Sequence, residues 1–129
     1  MVRLFQVGAG SGGIHVLDSL ARDLRITHVT IVDHDWYETE NVSRHLLPAG
    51  SDRQLKVHLV VDWLYERRPD LNVEPLPINL CDSAHRSKIE QAVADCDIGV
   101  CAVDNETAKF HFDALMRSAC KPWTLGEEA

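Results

Sequence analysis

A chain of 129 residues, 45% hydrophobic and 26% charged, carries one domain's worth of material at globular composition, which excludes a disordered or collagen-like protein. Its net charge of −7 offers no basic stripe to release counterions from a nucleic-acid backbone, so nucleic acid is disfavoured as a partner. No run approaches the roughly 18 apolar residues of a membrane span and no signal peptide opens the chain, so a cytoplasmic protein without a membrane partner is expected.

Arg3 to Val7 sets Leu4, Phe5 and Val7 directly ahead of the cluster Gly8-Ala9-Gly10-Ser11-Gly12-Gly13 and reads as a first strand with its turn. From Ile14 to Leu24, apolar residues recur at spacings of three and four, the signature of one helical face. His28 to Val32 is β-branched and apolar, a second strand that stops at Asp33-His34-Asp35. Trp36 to Asp52 is a long polar loop, of the kind that more often carries chemistry than connection.

Lys56 to Arg67 reads as a helix that Pro69 ends, and Asn72 to Ile78 as a strand that Pro75 and Pro77 confine to a sheet edge. A short helix over Ser87 to Ala94, a buried strand over Ile98 to Val103, a helix over Thr107 to Ala119 and a strand from Trp123 to Leu125 complete the series. Strictly alternating strands and helices imply an α/β fold, Rossmann-like, with a mainly parallel sheet and helices on both faces. Cys81, Cys96, Cys101 and Cys120 show no CxxC spacing and lie among apolar neighbours, so they read as reduced core thiols.

Gly8, Gly10 and Gly13 fill the three places of a GxGxxG turn: the first bends the chain, the second admits a phosphate, and the third lets helix pack on strand. The helix beginning there turns its positive end toward an anion, and Asp33 stands where a carboxylate accepts ribose hydroxyls. Alone, this unit fits a dinucleotide site, as in a dehydrogenase or a dinucleotide-sensing regulator, as well as an ATP site.

Four further elements follow in order: Asp33-His34-Asp35, the pair Asn41 and Arg44, Lys56 opening a helix, and Asp104-Asn105 after a strand. With the glycine loop they make the chain resemble the ThiF/E1 superfamily of ubiquitin-like-protein-activating enzymes, from Leu4 to about Leu125. The resemblance implies an adenylyltransferase that binds ATP and Mg2+ and adenylates the C-terminal carboxylate of a ubiquitin-like or sulfur-carrier protein. Asp33 and Asp35 then belong to the nucleotide site, Asn41, Arg44 and Lys56 to the triphosphate, and Asp104 to the metal, with Arg44, Lys56 and Asp104 as the catalytic set.

The chemistry agrees, since attack of a carboxylate on the α-phosphate gathers negative charge that cations and a metal offset, and needs no nucleophilic side chain. Each residue also has a plainer use: Arg44 in an ion pair, Lys56 as a solvated first-turn residue, Asp104 as a helix cap. Loss of function would leave a family scaffold. Ser11 and Gly12 depart from the G-x-G-G-x-G pattern, and His45 replaces a frequent glutamine. Superfamily enzymes continue into an acceptor-binding region and often dimerise, so residues 1–129 are expected to be the single nucleotide-binding domain of a longer, homodimeric enzyme.

Overall fold

The computed structural model describes residues 1–35 and 55–125. Five strands, β1 (Val2–Val7), β2 (Ile26–Val32), β3 (Asn72–Leu76), β4 (Ile98–Cys101) and β5 (Trp123–Leu125), form one sheet in the order β3-β2-β1-β4-β5. Every pair is parallel, so each connection must cross over the sheet, and the crossovers carry helices α1 (Ser11–Ala21), α2 (Lys56–Arg67), α3 (Arg86–Asp95) and α4 (Glu106–Ser118). The expected α/β, Rossmann-like sheet with helices on both faces is what forms. β3, which ends at Leu76 short of Pro77, lies at an edge, as its Pro75 requires.

Two apolar clusters, one on each face, cover the sheet. Leu4, Val29, Ile31, Val73 and Val100 pack with Ile14 and Leu17 of α1 and Val60, Trp63 and Leu64 of α2. On the opposite face Phe5, Val7, Val32, Leu76 and Cys101 meet Ile89 and Val93 of α3 and Phe112 and Met116 of α4. The alternation of Leu4 and Phe5 between the two clusters is the period of a strand buried on both sides. Phe5 stacks on Phe112 with ring centroids 6.3 Å apart.

Several boundaries differ from the sequence expectation. α1 starts at Ser11 and takes in Gly12 and Gly13, because extended Gly10 serves as its cap; it ends at Ala21, leaving Leu24 76% exposed. β4 stops at Cys101, and α4 ends at Ser118. Cys120 therefore lies past the helix, exposed and with φ 56°, and Cys81 is half-buried in a turn; only Cys96 and Cys101 are core thiols. Burial pushes the pKa of both buried thiols up, so they stay protonated and unreactive. The loop expected over Trp36 to Asp52 lies outside the described residues. Among those described, no helix is long and apolar enough to cross a membrane.

Arg68 joins elements distant in sequence. Its guanidinium, 8% exposed, donates to Ala21 O at 2.7 Å, Asp23 O at 3.3 Å and Ile26 O at 3.0 Å, and pairs with Asp70 at 2.9 Å. It thus closes the C-terminal end of α1 and the entry to β2 from the far side of α2. Arg68→Ala is expected to destabilise the fold by about 2–3 kcal/mol in urea denaturation, the scale of leaving buried acceptors without donors. Arg68→Lys should recover only a minor part, because an ammonium cannot fork across these carbonyls. A loss below ~0.5 kcal/mol would show that water replaces the guanidinium.

Candidate functional site

β1 runs into the glycine loop at the carboxyl edge of the sheet, between its two neighbours β2 and β4. The Gly8 N–H donates to Val32 O at 2.8 Å, and its φ of +106° is a left-handed conformation suited to glycine. A Cβ there would lie 2.6 Å from Ala102 O and 2.9 Å from Val103 Cγ1, so the turn is pressed against the end of β4. A Cβ on Gly13 would overlap the Gly8 carbonyl oxygen. These glycines shape the loop, whereas Gly10 alone of the three lines the adjoining cleft.

That cleft, about 600 Å³, opens where the chain order reverses between β1 and β4. Such switch points at the carboxyl ends of parallel strands are where open α/β sheets bind ligands. Its described wall brings together Gly10, Asp33, Asp35, Lys56 and Asp104, with the segment from Ile78 to Cys81 after β3 and Ala102 to Asn105 after β4. Asn41 and Arg44 lie outside the described residues.

Asp33 does more than face the cleft. Its Oδ2 accepts the Ala9 N–H at 2.8 Å and its Oδ1 accepts the Asp35 N–H at 2.8 Å, tying the end of β2 to the glycine loop. Each oxygen keeps a lone pair for a ligand hydroxyl. The Asp35 carbonyl accepts the Lys56 N–H at 3.1 Å and so caps α2, while the Asp35 carboxylate stands 3.9 Å from Lys56 Nζ and 3.5 Å from His34 Nε2. The Lys56 side chain is only 12% exposed. It is not a solvated first-turn lysine but a cation held at the cleft wall.

Asp104 is exposed at the cleft, and it does not cap α4. The cap is Asn105, whose Oδ1 accepts the Ala108 N–H at 3.1 Å. The Asp104 carboxylate is thereby left to the cleft as a hard oxygen donor. Ligand atoms of Asp33, His34 and Asp35 also lie within 4.8 Å of one another, and there the Asp35 carboxylate already faces the Lys56 ammonium and the His34 ring. Sequence reasoning missed Gln6, which is fully buried and donates from Nε2 to Gly8 O at 3.0 Å and Gly13 O at 2.8 Å. A lone polar residue in the strand Leu4-Phe5-Gln6-Val7 was its only signal.

The sequence pattern of the ThiF family matches residues 1–127. Over 99 residues the chain is 32% identical to the adenylyltransferase and sulfurtransferase UBA4 of Yarrowia lipolytica, an alignment covering 75% of this chain and 25% of that protein. Among solved structures it is similar to E. coli MccB with ATP (TM-score 0.81, 21% identity, 96% of this chain and 36% of that one). It is also similar to E. coli tRNA N6-threonylcarbamoyladenosine dehydratase, TcdA, in complex with AMP (TM-score 0.79, 18% identity, 96% and 49%). At these identities the structural likeness is one of fold. The chain thus spans about a quarter of the curated relative and between a third and a half of these solved chains.

Burial pushes the pKa of Asp33 up, against the lowering by the Asp35 and Ala9 N–H groups and by Lys56, and the Asp35 charge adds to the rise. The folded state therefore holds this proton more tightly than the unfolded chain does. Asp33's contribution to stability is greatest in acid and declines as pH rises from the ordinary aspartate value of about 4 through the raised one. Asp33→Asn has no proton to lose, so the stability of wild type relative to this variant should fall with pH across that window. Urea denaturation of both proteins at stepped pH measures it; a difference that grows with pH would mean the hydrogen bonds outweigh burial.

Proposed function

The chain belongs to the ThiF family, and from that premise we propose that it binds Mg·ATP and adenylates the C-terminal carboxylate of a ubiquitin-like or sulfur-carrier protein. The observation that carries this reading is the convergence of Gly10, Asp33, Lys56 and Asp104 on one cleft at the sheet's switch point. In this proposal residues 1–129 are the nucleotide-binding domain of a longer enzyme that works as a homodimer. Relatives of which the chain spans a quarter to a half support that division.

The positive N-terminal end of α1 and the glycine loop receive the phosphates. Asp33 accepts from the ribose, using the lone pairs its backbone partners leave. Lys56, with Asn41 and Arg44, offsets the charge of the triphosphate; Arg44 forks onto two oxygens where Lys56 supplies a point charge. Asp35 keeps Lys56 at the cleft wall. The donor chemistry fits Mg2+, which takes one or two carboxylates and completes its shell with phosphate and water, and Asp104 is the exposed carboxylate free to serve. Bound there, the metal would supply charge neutralisation at the phosphates.

A carboxylate oxygen of the carrier attacks the α-phosphorus, the bond from that phosphorus to the bridging oxygen breaks, and pyrophosphate leaves with the bond electrons. No proton need move, so the step asks the site for cations rather than for a general base. The acyl adenylate remains against Asp33 and the glycine loop.

Isothermal titration of the chain with Mg·ATP and with NAD+ tests the nucleotide. Mg·ATP should bind the more tightly, and a preference for NAD+ would replace this reading with a dinucleotide site. In the longer enzyme with its carrier, Arg44→Ala or Asp104→Ala should slow ATP–pyrophosphate exchange by ~100-fold or more, the scale of losing one charge-stabilising group. Exchange at wild-type rates in both variants would contradict the assigned roles.

A further inference from the structure

We propose that Gln6, buried behind the glycine loop, is a positioning residue that sets the affinity of the site for phosphate. The proposal rests on the nucleotide reading above and names a residue outside the cleft wall. Gln6 is 0% exposed, and both partners of its Nε2 are carbonyl oxygens, which fixes the amide's orientation.

The carbonyl of Gly8 and the N–H of Ala9 belong to one trans peptide, so they point in opposite directions. Gln6 Nε2 holds the first at 3.0 Å and Asp33 Oδ2 holds the second at 2.8 Å. This peptide is clamped at both ends by side chains, one from β1 and one from the residue that follows β2. The Gly13–Ile14 peptide is treated alike: its carbonyl lies 2.8 Å from Gln6 Nε2 while its N–H donates to Gly10 O at 2.9 Å. The loop carbonyl of Gly8 and the first-turn carbonyl of Gly13 thus meet on one buried amide, and neither residue lines the cleft that Gly10 lines. Turned the other way, the negative end of the Gly8 carbonyl would repel phosphate oxygens.

The other end of the same amide argues against a purely stabilising role. Gln6 Oε1 is buried with no hydrogen-bond partner among the described residues, a standing penalty that an apolar side chain would remove. Methionine at this position has similar length and no donor, so Gln6→Met removes the clamp and the unpaired oxygen together. Removing the unpaired oxygen offsets part of the loss of the donor, so the variant's thermal midpoint should fall only modestly, while binding weakens selectively for ligands that carry phosphate.

Titration calorimetry on wild type and Gln6→Met with Mg·ATP, Mg·ADP and adenosine separates the two effects. The Kd for both phosphate-bearing ligands should rise ~10-fold, the scale of one or two lost hydrogen bonds, with adenosine changed less than about twofold. Equal weakening of all three ligands, or no weakening, would overturn the role of Gln6. Gln6→Leu serves should the methionine variant fail to fold, and faster amide exchange at Ala9 and Ile14 in either variant checks the clamp directly. Wild-type preference for NAD+ would end the adenylation reading alone, with the same loss then expected for NAD+; wild type binding no phosphate ligand would end both.

Discussion

The peptide between Gly8 and Ala9 is where the sheet, the first helix and the cleft are tied together. Asp33 takes its N–H from the end of β2 and Gln6 takes its carbonyl from within β1, at 2.8 and 3.0 Å. The φ of +106° at Gly8 and the tight seat against Ala102 leave that peptide little freedom. Because Gln6 also reaches Gly13, the first turn of α1 is registered against the strand that feeds it. The position of the helix's positive end, and hence of any bound anion, follows from these contacts.

A second tie extends the same edge of the sheet outward. Asp33 receives the Asp35 N–H, Asp35 caps α2 through its carbonyl, and α2 begins with the lysine that faces the cleft. Hydrogen bonds thus run from the glycine loop through two carboxylate residues to the backbone of Lys56, whose ammonium stands 3.9 Å from the Asp35 carboxylate. Burial makes the ionised form of Asp33 expensive, and the nearby Lys56 partly offsets it. The Ala9 and Asp35 N–H groups and Lys56 act against that cost by favouring the acceptor form, which is the form the proposed ribose contact uses.

Much of the fold was legible in the sequence because its signals are local. β-branched runs such as Val29 to Val32, the periodic Ile14, Leu17 and Ala21, and Pro75 in β3 each specify an element without reference to the rest. Boundaries failed where the deciding partner is distant: α1 stops where Arg68 reaches Ala21 O from 47 residues on. The glycines and Asp33, Lys56 and Asp104 could be picked out by type and spacing, but not the division of labour among them. That Asn105 rather than Asp104 caps α4 is a matter of side-chain geometry. Gln6 was visible as a polar residue in an apolar strand, yet its meaning required the loop to be closed around it. The proposed triphosphate ligands Asn41 and Arg44 remain sequence-based assignments.

The central claim is that phosphate is held at the glycine loop, in the cleft between the ends of β1, β2 and β4, rather than in the smaller groove between α3 and α4. Titrating Mg·ATP into the isotopically labelled chain and following backbone amide shifts tests it residue by residue. The largest changes should fall on Gly10 to Gly13, Asp33 to Asp35 and Asp104 to Asn105. Changes centred instead on Arg86, Ile89, Leu115 and Ser118, which line the other groove, would contradict the account.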